Sequence, residues 1–506
     1  MNKKASILSK FLALYFSFFM VFWCGPVLAL PQNGSVIAGA ANIGNSSANF
    51  LEINQQTQRA IIDWSSFSIA NGETTVFNQP GISAATLNRV TGGNLSEIFG
   101  HLKANGSLYL INPNGILIGS TGVIDVNTFI ASTLNINNNA FMSGGDMIFS
   151  GNSNASIQNF GTINAMEGDV FLISRKIENA GTINAPQGAV GLAAGEPADG
   201  ENLEVLLKAS GGQRIFIRTK KEKKVATETT TDETVTTTKE VDDSTLTLTE
   251  TEKNATEVPD ATDTQITDLN TEKTNTESAE IETTQNVVNI KDFAAGAEPE
   301  FTYEYEYVWE PVTLNLNVGE IETDSNATDT TTEALTTENT SSDLSEDSTT
   351  ISAEDASIIN TGIINAVQAE LKTYGGNEYA LAINNEGEIR ATGVENRNGV
   401  VYLTAENGDV NNSGLISSQN SNGDGGRVSL QAVNGSTTSS GIIDVSSTTD
   451  TGVGGYAEVL GNKVEITGNT LVNASGNAGG GEILIGGDYQ GKNENIQNAS
   501  ETLISA

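Results

Sequence analysis

An all-β solenoid, a parallel β-helix interrupted by one long acidic, Thr-rich insertion, is what this 506-residue chain encodes. Short segments recur at a spacing of 20 to 27 residues on both sides of the insertion. Within each recurrence, Val, Ile and Leu alternate with polar residues, the period of a strand with one buried face. Gly, Asn and Ser separate these strands and heptads are absent, so helix-pair repeats are excluded.

The chain opens with a leader. Lys3, Lys4 and Lys10 precede an apolar run from Phe11 to Trp23, and Val27 and Ala29 supply the small-residue pair at the break. This is the pattern of a secretory signal peptide, expected over residues 1–29 with cleavage after Ala29. A hydrophobic stretch of 13 residues is shorter than the roughly 20 that cross a bilayer, and no longer one follows, so the mature chain is expected to lack a transmembrane segment. Cys24, the sole cysteine, would leave with the leader. Disulfide frameworks and cysteine-rich zinc sites are thereby excluded.

The first repeat block, residues 30–212, contains Ile157-Gln158-Asn159-Phe160-Gly161-Thr162-Ile163-Asn164-Ala165 and, 20 residues on, Ile177-Glu178-Asn179-Ala180-Gly181-Thr182-Ile183-Asn184-Ala185. One coil of three short strands and three turns fits this length. Stacked coils place each strand about 4.8 Å from its counterpart, around an apolar interior. Ile157, Ile163, Val170, Leu172, Ile177, Ile183, Val190 and Leu192 are the expected inward positions. Trp64 and Phe67 are expected in the core, rather than as a sugar-stacking platform.

Residues 213–355 are different material. Positions 221–350 hold 32 of the 63 acidic residues, seven of the 25 Lys and Arg, and Gly296 and Gly319 alone among 52 glycines. Such a segment buries too little apolar area to offset about 1–2 kcal/mol per residue of backbone ordering, so it is expected to be mostly disordered. Two stretches read as strands, Gln213–Arg218 and, within 300–318, the alternating Phe301–Trp309. They are expected either to pair antiparallel as the stem of the insertion or to be unrelated edge strands.

Residues 356–500 resume the repeat. Asn360, Asn385 and Asn412 each begin an Asn-x-Gly-x-Ile element, and Gly362, Gly387, Gly414, Gly441 and Gly468 are 25, 27, 27 and 27 apart. A second marker, Gly before a strand, keeps step at Gly399, Gly426, Gly455 and Gly481. Asn159, Asn179, Asn360, Asn385 and Asn412 share one register. They are either a hydrogen-bonded stack or turn formers.

Charge and chemistry narrow the function. A net charge of −38 argues against nucleic acid, whose phosphates need cations. The single histidine, His101, lies in Gly100-His101-Leu102-Lys103 with no Ser or Cys motif beside it, and a structural role is expected. Asp125, Asp169, Asp409 and Asp444 occur once per repeat, as turn residues do, rather than as the paired carboxylates of a glycosidase. Asn422-Gly423-Asp424-Gly425-Gly426 reads as a turn rather than a calcium site. Neither a catalytic residue, a metal site nor a cofactor is expected.

From Leu30 to about Gly195 seven ordered blocks carry a family likeness. They are Ile61–Ile69, Val76–Pro80, Leu87–Val90, Ser96–Gly100, Leu110–Ile116, Gly122–Val126 and Phe129–Thr133. The stretch resembles the two-partner secretion domain of filamentous-haemagglutinin-like exoproteins. That resemblance implies a right-handed parallel β-helix, exported by Sec and threaded through an outer-membrane β-barrel transporter as partner. It maps the family's secretion motif onto Asn112, Pro113 and Asn114. The expected product is a secreted or cell-surface, non-enzymatic adhesin whose surface ligand is unknown. The alternatives are a truncated member of a contact-dependent toxin system and a β-helical polysaccharide-active enzyme.

Overall fold

A computed structural model describes residues 29–44, 47–196, 202–227, 238–240, 300–310, 357–375, 380–493 and 495–505. The proposed leader before Ala29 and most of the acidic insertion lie outside these residues. The chain divides into two compact units, Met1–Thr219 with Val308–Leu316 and Leu335–Ala506, and Lys220–Tyr307 with Asn317–Ala334.

The first unit is a parallel β-helix. Three ladders run along it among the described residues. One stacks Ser96–Ile98, Ile116–Ile118, Ser156–Asn159, Lys176–Asn179, Ile358–Asn360, Leu381–Asn385 and Asp409–Asn412. A second runs from Phe50–Gln55 through Thr74–Asn78, His101–Ala104, Val123–Val126 and Thr162–Ala165 to Leu471–Asn473. The third runs from Arg59–Trp64 through Ala85–Val90, Ser107–Ile111, Thr128–Ser132 and Val170–Ser174 to Glu482–Ile485. From Thr74 onward each coil visits all three, which is why 20 residues suffice for one turn of the helix.

The eight expected inward positions are all fully buried, at 0% exposure. Burial of each is worth about 1.5–3 kcal/mol. Trp64 and Phe67 are core residues as expected, meeting edge to face with centroids 5.7 Å apart. The Asn-x-Gly element owes its glycine to stacking. A Cβ on Gly181, Gly362, Gly387, Gly414 or Gly441 would lie 2.1–2.2 Å from the carbonyl oxygen of the glycine one coil earlier. Gly468 departs from the series. Leu471 pairs with Ile442, so Thr470 occupies the glycine register, and Gly468 sits in a turn at φ +62° with open space around it. The spacing of 27 from Gly441 is a coincidence of loop length.

The asparagines form the hydrogen-bonded stack. Asn159 Nδ2 donates to Asn179 Oδ1 at 2.8 Å, Asn179 to Asn360 at 2.7 Å, Asn360 to Asn385 at 2.7 Å and Asn385 to Asn412 at 2.8 Å. All five are fully buried. Register is kept straight across the insertion: Ile177 pairs with Ile358, Asn179 with Asn360 and Ile183 with Ile364.

Two features lay outside the repeat pattern. Ser35–Ala38 and Ala41–Ile43 pair antiparallel with Arg59–Trp64 and Phe50–Gln55, closing off strands that would otherwise present open backbone groups. A small antiparallel sheet also joins Asn135–Ile136, Met147–Gly151, Leu203–Leu207 and the start of Ile215–Thr227. Its inward side chains, including Phe149, Val205, Ile215 and Ile217, make a second apolar core with Ile61, Leu87, Ile130 and Phe171. In the second unit, Thr238–Glu240 pairs antiparallel with the end of Ile215–Thr227. Strand Glu300–Glu310 also pairs with strand Ile215–Thr227.

Candidate functional site

Strand Ser107–Ile111 must hand over to strand Ile116–Ile118 at a corner of the coil, and Asn112–Gly115 makes that corner. Pro113 fixes φ at the second position of a four-residue turn, closed by Gly115 N–H donating to Asn112 O at 3.0 Å. Gly115 lies at φ +107°, a region other residues rarely adopt.

Asn112 itself is fully buried. Its Nδ2 donates to Asn94 O and to Ser96 Oγ, each at 2.9 Å. Its Oδ1 accepts from Asn114 N–H at 2.9 Å and from Asn114 Nδ2 at 3.0 Å. Its backbone N–H donates to Ser132 O one coil on, at 3.0 Å. Pro113 and Asn114 are exposed. Pro113 O accepts from Ser153 Oγ at 2.6 Å, and Asn114 Nδ2 also reaches Gly92 O at 2.8 Å. The three motif residues thus divide into an interior anchor and a presented tip.

The acidic candidates do not converge on one site. Asp125 points outward from strand Val123–Val126, not from a turn, which corrects the expectation. It pairs with His101 Nε2 at 2.7 Å and accepts from Asn164 Nδ2 at 2.8 Å. Burial opposes its charge, but the hydrogen bonds from Asn164 and His101 and the charges of His101 and Lys103 prevail, holding it below the usual carboxylate range. Asn184 and Asn365 continue this outer stack at 2.9 Å each. Asp409 and Asp444 also belong to strands, Asp409–Asn412 and Ile442–Asp444. They cap backbone N–H groups of Ser436 at 2.7 Å and Ser446 at 2.9 Å. Alternation alone cannot tell a strand-end aspartate from a turn aspartate: Asp409 at a strand start and Asp169 in a turn both follow a glycine. Asn422–Gly426 is a turn, with Gly423 at φ +84° and Asp424 N–H on Asn422 Oδ1 at 3.1 Å. Among the described residues no group of three His, Cys, Asp or Glu side chains could hold a metal ion.

One buried pair gave no sequence signal. Glu370 and Lys372 are 0% and 2% exposed and 3.0 Å apart. Glu370 accepts from the backbone of Arg214 at 2.7 Å and Ile215 at 3.2 Å, and Lys372 Nζ donates to Gln213 Oε1 at 2.7 Å and Ile215 O at 2.9 Å. Burial pushes the Lys372 ammonium below the usual lysine range against the pull of Glu370. The pair ties the segment that enters the insertion to the coil that follows it. The two charges alternate with Ala369 and Leu371 of the core, and it is the segment at Gln213–Ile215 that buries them.

Comparison with known proteins gives a family for the N-terminal part. The family model of the TPS secretion domain matches residues 29–256. A heme/hemopexin-binding protein of Haemophilus influenzae is 44% identical over 104 residues, 21% of this chain and 11% of that protein. A second protein of the same name and organism is 41% identical over 103 residues, 20% of this chain and 11% of its own length. The chain spans about a tenth of the length of the curated relatives it matches. The crystal structure of the HMW1 secretion domain from Haemophilus influenzae superposes with a TM-score of 0.50 at 19% identity, covering 94% of this chain and 100% of that one, which speaks for the fold. Residues 29–256 carry a TPS secretion domain. No helix among the described residues is long and apolar enough to cross a membrane.

Proposed function

We propose that this chain, bearing a TPS secretion domain, is an exoprotein exported by Sec and passed through an outer-membrane β-barrel transporter, to act as a secreted or surface-held adhesin without enzymatic activity. The observation that carries the reading is the domain match over residues 29–256, laid on a β-helix whose coils touch only their neighbours. A chain entering a barrel must be unfolded, and one that has lost Cys24 cannot lock itself with disulfides beforehand. Coils then add one at a time outside, each buried strand biasing movement outward.

In this reading Asn112, Pro113 and Asn114 serve export in two ways. Asn112 sets the corner, and Pro113 with Asn114 presents it. Secretion assayed with and without the transporter tests this. Deleting residues 61–133 is expected to leave the product in the periplasm, and normal export of that deletion overturns the reading. Replacing Pro113 and Asn114 by alanine is expected to lower export while the folded protein melts within a few degrees of the parent. Purified protein is expected to bind cell surfaces. Growth inhibition of neighbouring cells points instead to a toxin system, and release of sugar reducing ends to a polysaccharide-active enzyme.

A further inference from the structure

The first described residues meet a buried carboxylate. Ala29 N–H lies 3.0 Å from Glu73 Oε1 and 3.2 Å from Oε2. Glu73 is 3% exposed, and Oε2 also accepts from Ala70 N–H at 2.7 Å. Among the described residues no Lys, Arg or His side chain pairs with it. A buried carboxylate facing only neutral amides lacks the cation that usually compensates such a charge.

The chain just after Ala29 is held in place. Leu30 is 3% exposed in the core. Its carbonyl accepts from Gln32 Nε2 at 2.6 Å, and Gln32 N–H donates to Ser66 O at 2.9 Å. Whatever group the Leu30 nitrogen carries is therefore fixed one residue along from a nitrogen already in contact with Glu73.

We propose that Glu73 is the receptor for the α-ammonium group created when the leader is removed. This rests on the leader reading above, with cleavage after Ala29. Water cleaves the amide between the Ala29 carbonyl and the Leu30 nitrogen. The leader departs with a carboxylate, and Leu30 keeps the nitrogen as an ammonium, so atoms and charge balance. Processing withdraws the Ala29 N–H from Glu73 and supplies a cation with three donors in its place. The first coil is then completed by a charge pair that the unprocessed chain cannot form, and removal of the leader is coupled to closure of the helix end.

The test uses the exported full-length chain. Intact mass fixes its first residue, and acylation by an amine-reactive ester at about pH 7, near the ordinary range of an α-amino group, is followed on the N-terminal peptide. In the native protein the Leu30 amine is expected to react about ten-fold more slowly, the equivalent of one pKa unit, than in urea or in Glu73→Gln. Should Glu73→Gln fail to fold, a chain with Gly-Ser added before Leu30 keeps the carboxylate and moves the ammonium away. It is expected to melt lower than the natural start and to lose the protection. Leu30 at the start with equal rates in native protein and in urea overturns the Glu73 contact alone. A mass placing the first residue elsewhere overturns the leader reading and the contact together.

Discussion

Asn112 commits both ends of its amide to one corner of the coil, so substitutions within the motif separate cleanly. Asn112→Ala leaves the buried hydroxyl of Ser96 without its donor. Leaving a buried polar group unpaired costs about 1–3 kcal/mol. A loss of about that size in urea unfolding is expected for Asn112→Ala, and under about 1 kcal/mol for exposed Asn114→Ala. The aspartates predict opposite responses to pH. Asp125 has a folded pKa below its unfolded one. Its contribution is present above the usual carboxylate pKa of about 3.9 and is lost as pH falls through the lower folded value. Asp125→Asn is therefore expected to flatten the acid limb of the stability profile. Asp409 has a raised pKa because burial opposes its charge, though Ser436 donates to it. Its protonated carboxyl contributes stability that is full below the usual carboxylate pKa of about 3.9 and is lost as pH rises through the raised folded value, so Asp409→Asn, which keeps the acceptor for Ser436, is expected to raise Tm at neutral pH.

Elements in this molecule are specified by what lies one coil away. The asparagine stack shows it: Asn179 accepts from Asn159 and donates to Asn360, so Asn179→Leu leaves a donor and an acceptor unpaired on either side. A cost of about 2–6 kcal/mol is expected, taking two such groups. Adding Asn360→Leu is expected to cost less than its single effect, because the two share a bond. Glu370 and Lys372 follow the same logic. Either single apolar replacement leaves a buried charge and is expected to cost about 3–5 kcal/mol, whereas Glu370→Leu with Lys372→Met together is expected to recover most of it. The ladders and inward positions were legible because a period repeated along the chain exposes itself by comparison with its own copies. Asn159 and Asn179 could be aligned by eye, although the sequence left open whether they stack or turn. The flanking sheet has no second copy. Asn135–Ile136, Met147–Gly151 and Leu203–Leu207 are short runs whose meaning depends on a face of the helix that no local pattern announces. The burial of Glu370 and Lys372 was illegible for the same reason, as was the second core. The block Leu110–Ile116 drew attention to one corner of the coil, but which of its residues is interior is a matter of the register of Ser96 and Ser132.

At the scale of the whole chain, the insertion leaves the ladders undisturbed. Strand Thr182–Glu196 pairs with Ile363–Gly375 from Thr182 to Glu196 with one interruption, and Asn179 bonds Asn360 across 181 positions of sequence. Loop entropy grows slowly with length, by about 0.6 kcal/mol per doubling. Deleting residues 241–299 is accordingly expected to change the unfolding free energy of the β-helix by less than about 1 kcal/mol, with an unaltered circular dichroism spectrum as the check.

That pairing across the insertion sets a timetable for a polypeptide leaving a pore amino end first. Every earlier layer finds its lid within a few dozen residues, but the layer ending at Glu196 stays uncovered until Ile358 arrives. In the export reading proposed above, a pause in emergence is expected there while the acidic stretch passes. A tension trace of the exiting chain is expected to show its single long dwell at this layer.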